Sequence, residues 1–135
     1  MAQFERMPEI AKSIRTFLLD YAELKAIVDT RIFYFRTAMP SGKEPKVPFI
    51  FFRRAGGVYG SYRYYFSVRA KNATDLSNLR RMVIRRLLSP VNLTTEENVL
   101  ESRLDGQLSD GGDEGTGWYE SNFYIIFELL EAQYG

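Results

Sequence analysis

Arg80-Arg81 and Arg85-Arg86 form the sharpest chemical pattern in the chain. On a helix Arg81 and Arg85 lie one turn apart, and two guanidinium groups on one face can neutralise phosphates. The same spacing describes a solvated helix face, the usual role of a charged helical stripe. Arg80 falls nearer the apolar side, where it would lie along apolar surface or pair with an acid. A second pattern is aromatic: Tyr62, Tyr64, Tyr65 and Phe66 could stack the bases of a single strand. The chain lacks the strand order and glycine-aromatic signature of RNA-recognition modules, so these rings read as core or subunit-interface residues. A third pattern sets Asp105, Asp110, Asp113 and Glu114 among Gly106, Gly111, Gly112, Gly115 and Gly117. The ordered oxygen donors of a calcium loop are missing there, and the stretch reads as a mobile negative loop. Ala55-Gly56-Gly57-Val58-Tyr59-Gly60 lacks the spacing of a dinucleotide fingerprint and precedes no helix, so it reads as a hairpin connection.

The 135 residues include no cysteine and no histidine. Disulfides and thiolate chemistry are excluded, and the commonest general base and metal ligand are missing. The remaining Ser, Lys and carboxylates form no elbow, P-loop or paired metal motif. The expectation is a protein without catalytic activity, cofactor or bound metal. No apolar run is long enough to span a membrane and no leader pattern is present, so the chain is expected to be soluble and made in the cytoplasm.

A net charge of +1 hides a segregation along the chain. Residues 31–86 hold thirteen Lys/Arg against Glu44 and Asp75, a surplus of eleven positive charges. Residues 96–131 hold ten Asp/Glu against Arg103, a surplus of nine negative charges. Two such segments either neutralise one another inside the fold or form opposite faces that meet between copies.

These patterns need elements to position them. Pro8 suits a first helical turn, and Ile10, Ile14, Phe17, Leu18 and Tyr21 follow as one apolar stripe. Leu24, Ile27 and Val28 continue a short turn of helix before a strand from Ile32 to Arg36. After a loop from Pro40 to Pro48, a second strand runs from Pro48 to Arg54, with an apolar run suited to burial on both faces or at a subunit contact. The third alternates Tyr62, Tyr64, Phe66, Val68 and Ala70 on one face with Arg63, Tyr65, Ser67, Arg69 and Lys71 on the other. Asn72 and Asp75 read as a cap for a helix that buries Leu76, Leu79, Val83 and Leu87 and ends before Pro90. Leu100, Leu104 and Leu108 give a weaker strand, Ser109 to Gly117 a loop, and Trp118 to Glu131 the strongest strand, with Phe123, Ile125, Phe127 and Leu129 inward. The expected fold is one α+β domain over 1–135: a largely antiparallel sheet of four to five strands, an N-terminal helix, and a second helix between strands three and four packed on it.

Asp29, Arg31, Ile32 and Phe33, then Met39, Pro40 and Gly42, then Pro48, Phe49 and Ile50 resemble the opening of the tail-completion, or tail terminator, proteins of long-tailed bacteriophages. The element order, and the late run Asp113, Gly115, Gly117, Trp118, Tyr119 and Phe123, are also similar to that family. The resemblance implies a structural virion protein of the tail and neck, assembled in the host cytoplasm as a homo-oligomer, usually a hexameric ring. It implies partners in the tail-tube protein and the neck or head connector, with genomic DNA passing through the lumen without specific binding, and no membrane. Candidate subunit or partner contacts are Phe51, Arg53, Tyr65, Arg69, Arg81 and Arg85, and Asp110, Asp113 and Glu114 are candidates for a loop at the lumen or between rings. Other neck or tube subunits, and a nucleic-acid-binding regulator using the arginine helix, are the alternative readings.

Overall fold

The structure, a computed structural model, describes residues 9–35, 45–58, 61–88, 93–94, 99–113 and 117–129. Helices α1 (Glu9–Leu19) and α2 (Ala22–Val28) lead into β1 (Ile32–Tyr34), β2 (Phe49–Val58) and β3 (Ser61–Ala70). Then come α3 (Ala73–Leu87), β4 (Leu93–Thr94), β5 (Val99–Asp113) and β6 (Trp118–Leu129). The strands form one six-stranded sheet in the order β1-β2-β3-β6-β5-β4, antiparallel at every pair except β1 with β2. The α+β class and the helix inserted after the third strand are as expected. The added strand is β4, and α2 is a helix in its own right. Among the described residues no helix is long and apolar enough to cross a membrane.

The turn from α2 into β1 follows from its residue types. Asp29 takes φ 59° and ψ −119°, a positive-φ conformation outside the left-handed helical region that turns the chain out of α2. Its N–H donates to Lys25 O, which closes α2, and Arg31 N–H donates to Val28 O. Arg31 Nε then donates to Pro48 O at 2.9 Å, tying the start of β1 to the start of β2. Ile32 thereby faces Ile50, and Phe33 faces Phe51, in parallel register. Arg36, Met39, Pro40, Gly42 and Pro90 lie outside the described residues.

One sheet face carries the main core. Ile50 and Phe52 of β2, Tyr64, Phe66 and Val68 of β3, and Phe123, Ile125 and Phe127 of β6 are buried beneath Ile14, Leu18 and Leu24 and the α3 row Leu76, Leu79, Val83 and Leu87. Phe52, Phe66 and Phe123 stack across three strands with centroids 5.3 and 5.6 Å apart and 11° between planes at each step. Each such side chain contributes about 1.5–3 kcal/mol by leaving water. Asn72 caps α3 through Oδ1, which accepts from Asp75 N–H at 2.8 Å. Burial pushes the Tyr64 phenol well above its ordinary value, so it stays neutral in the core.

Two expected loops are strand. β2 continues through Ala55, Gly56 and Gly57 to Val58 with a bulge between Arg54 and Gly56, and Tyr59 and Gly60 lie outside the described residues. Ser109 to Asp113 also belongs to β5, paired in order with Asn122 to Trp118 after an irregularity between Asp105 and Ser109. Glycine disfavours strand by itself, but pairing with the strongly β-forming 118–129 run overrides that preference. Asp110 and Asp113 therefore sit on a strand rather than a loop, and Glu114 lies outside the described residues.

Candidate functional site

The sheet face turned away from the helices is built from the other half of each strand's alternation. On β2 it carries Phe49, Phe51 and Arg53, on β3 Arg63, Tyr65, Ser67 and Arg69, and on β6 Trp118, Glu120, Asn122 and Tyr124. Cross-strand register sets Arg53 beside Tyr65, Tyr65 beside Tyr124, and Arg69 beside Glu120. Phe33 and Phe35 extend the layer at one edge, their rings 6.2 Å from Phe49 and 5.8 Å from Phe51 respectively.

Guanidinium groups lie over these aromatic rings. Arg53 Cζ is 4.8 Å from the Tyr65 centroid and Arg63 Cζ 3.8 Å from that of Tyr124. Arg69 Cζ lies 5.2 Å from Phe51, 5.7 Å from Phe49 and 4.9 Å from Trp118. Such contacts contribute about 0.5–1 kcal/mol each where exposed and about 2 where desolvated. Phe49 and Phe51 are buried within this layer, while Arg53, Tyr65 and Arg69 are half-buried.

A hydrogen-bonded chain runs across the same face. Tyr65 Oη donates to Asn122 Oδ1 at 2.9 Å, Asn122 Nδ2 to Glu120 Oε2 at 3.1 Å, and Trp118 Nε1 to Glu120 Oε1 at 2.9 Å. Arg69 Nη2 approaches the same carboxylate at 3.5 Å. Partial burial pushes the Glu120 carboxyl up, but the Trp118 and Asn122 hydrogen bonds and the Arg69 charge outweigh it, leaving Glu120 below the usual carboxylate value. Burial, followed by the nearby Glu120 charge, raises the Tyr65 phenol. Among the described residues Arg53 Nε is buried with no hydrogen-bond partner. A buried polar group without a partner costs about 1–3 kcal/mol, partly offset here by the position of the guanidinium over the Tyr65 ring.

Four of the six candidate contacts, Phe51, Arg53, Tyr65 and Arg69, thus meet on one face. Arg81 and Arg85 do not join them: both are exposed on α3, which packs against the opposite side of the sheet, and Arg81 Nη2 donates to Asn78 Oδ1. Their neighbours are structural. Arg80 Nη1 bonds both Asp110 oxygens at 3.2 Å and Ser121 Oγ at 3.3 Å, the acid pairing its place beside the apolar stripe predicts. Arg86 donates to Phe17 O from Nε and Nη2 and lies over the Phe17 ring, fastening α3 to α1. Sequence reasoning did not select Trp118, Glu120, Asn122 and Tyr124, although their i, i+2 spacing opposite Phe123 and Ile125 marks one strand face.

The oppositely charged segments meet in part within the fold, through Arg63–Asp105 at 2.7 Å, Arg69–Glu120 at 3.5 Å and Arg80–Asp110 at 3.2 Å. Among the described residues no cluster of three or more carboxylates could hold a metal ion. Among the described residues this sheet face carries no helix and offers aromatic area and directed cations, the composition of a binding hot spot.

No protein-family model matches the chain, and no curated protein matches it in sequence. Among solved structures, a chain from the virion of a native gene transfer agent particle superposes with a TM-score of 0.55 over 86% of this chain and 90% of that one. The two are 12% identical, so what they share is the fold.

Proposed function

We propose that this protein is a structural component of a phage-like virion, a terminator that forms a closed ring on the head-proximal end of the tail tube and joins it to the neck. The observation that carries the reading is the sheet face turned away from the described helices, where Phe51, Arg53, Tyr65 and Arg69 assemble with Trp118 and Tyr124. Aromatic and arginine side chains in this arrangement suit contact with a protein subunit, which can supply both apolar area and a carbonyl acceptor. The likeness to a chain of a gene transfer agent virion supports a place in such a particle, and the opening and late motifs of the sequence support the terminator among its small subunits. Neighbouring copies meet through heterologous contacts that close on themselves, and DNA passes through the lumen without specific binding.

Removing the gene tests this reading against a tube or head-completion subunit. Without a terminator, tubes overgrow and remain unattached to heads. Tails of normal length joined to heads in the deletion would refute it.

A further inference from the structure

The fold matches some of its cations with carboxylates and leaves others unmatched. Arg63, Arg69, Arg80 and Arg103 are paired with Asp105, Glu120, Asp110 and Glu128 respectively. Among the described residues Arg31, Lys46, Lys71, Arg81 and Arg85 have no carboxylate partner. The first three line a pocket of about 340 Å³ where β2 begins, β3 finishes and α3 starts, with Pro48, Ala70 and Leu79 beside them. Arg31 is held in place there: Nε donates to Pro48 O at 2.9 Å and Nη2 to Ile27 O at 3.4 Å, which leaves its Nη1 donors uncommitted. Lys46 and Lys71 are exposed.

Arg81 and Arg85 continue from the pocket along α3. Asp75 and Leu79 of that helix line the pocket, and at about 1.5 Å per residue Arg81 and Arg85 stand about 9 and about 15 Å along the axis from Asp75. Both are exposed, and Arg81 bonds the Asn78 side chain. Asp75 is the acid on the pocket wall, its Oδ2 accepting from Asn72 Nδ2 at 3.1 Å, so five cations stand against one carboxylate. Among the described residues no aromatic ring lines the pocket. Protein partners are held chiefly by aromatic anchors, as on the opposite side of the sheet, whereas a polyanion needs only cations to neutralise its phosphates. A run of about 15 Å spans about four phosphates of one DNA strand at about 3.4 Å of axis each.

We propose that the Arg31–Lys46–Lys71 pocket and the Arg81–Arg85 flank of α3 form one phosphodiester-binding surface, along which the backbone of duplex DNA is held without regard to sequence. This surface borders α3, on the side of the sheet away from the face assigned to subunit contact, so it does not depend on the ring reading.

Fluorescence anisotropy of short labelled duplexes of two unrelated sequences, titrated with the purified chain from about 50 to about 200 mM salt, tests the proposal. With a net of about four phosphates neutralised and about 0.9 counterion released at each, the log–log slope is expected near about −3.6, an affinity loss of about 100-fold over that range for both sequences. Lys46→Ala/Lys71→Ala and Arg81→Ala/Arg85→Ala should each reduce the slope by about 2. Arg103→Ala removes a cation already matched by Glu128 and should leave the slope unchanged. These substitutions replace exposed side chains, so the variants fold. No binding at about 50 mM salt, or a loss of slope on Arg103→Ala as large as on the paired variants, would overturn the surface. So would polyglutamate binding as tightly as the duplex at equal charge, because the partner would then be an acidic protein segment. Self-association of each variant is followed in parallel and is expected to match the wild type; its loss together with DNA binding would overturn the proposal, since the cations would then hold copies of the chain. Duplex binding that fails while the wild-type chain still assembles leaves the ring reading intact, so the two readings fail separately.

Discussion

Replacing Arg69 with Met keeps most of the apolar stem and removes the charge, which isolates what the guanidinium does on the helix-free face. The Arg69 side chain is 11% exposed, lies over three aromatic rings at 4.9 to 5.7 Å, and approaches Glu120 at 3.5 Å. Taking about 0.5 kcal/mol for each aromatic contact and about 1 for the long charge-assisted contact gives about 2.5 kcal/mol. For a chain of this size that corresponds to a fall in Tm of about 10 °C. Urea unfolding followed by the fluorescence of Trp118, the sole tryptophan, reports directly on the site. Protomer concentration is held fixed, because self-association stabilises by mass action. The expected result is a lower midpoint with unchanged slope, persisting at high salt because much of the contact is shielded from solvent. A loss below about 0.5 kcal/mol would contradict this role, since it would equate Arg69 with an ordinary solvated arginine.

Three further outcomes follow from single residues. The folded state holds Glu120 ionised below the usual glutamate value of about 4.3, so its contribution is complete above that pH and is lost as pH falls through the depressed folded value; Glu120→Gln should flatten the acid limb of the stability–pH curve, and an unchanged limb would contradict this. At Gly112, φ is +83° and an added Cβ would collide with the Trp118 carbonyl oxygen, whereas at Gly106, φ is +84° but the space is open; in chemical denaturation Gly112→Ala should cost more than about 2 kcal/mol and Gly106→Ala about 1, and equal costs would contradict the β5–β6 pairing beyond Asp105. Asn72→Ala should cost about 1 kcal/mol through loss of the α3 cap, and a neutral result in the same assay would show the Asp75 N–H to be satisfied by water.

The elements whose order comes from local periodicity were legible in the sequence. Tyr64, Phe66 and Val68 alternate inward as the spacing predicts, and Leu76, Leu79, Val83 and Leu87 line the buried side of α3. Ser109 to Asp113 was not legible, because its glycines gain strand structure only from the partner at 118–122. Nor was the parallel pairing of β1 with β2, which rests on backbone bonds between segments far apart in sequence, Ile50 N–H to Arg31 O and Phe35 N–H to Phe52 O. The candidate contacts divide for the same reason. Phe51 with Arg53, and Tyr65 with Arg69, share faces by strand parity, but only the register joins those pairs and adds Trp118, Glu120, Asn122 and Tyr124. Arg81 and Arg85 carry the same chemistry on a different layer, and nothing in their local spacing reveals which side of the sheet that layer covers.

High-resolution imaging of intact particles would locate the chain and its neighbours in place. The expected image is a single closed annulus of this chain at the head-proximal end of the tail, all copies in one orientation, with Phe51, Arg53, Tyr65 and Arg69 against an adjoining subunit. The chain repeated along the length of the tube, or absent from the particle, would contradict it.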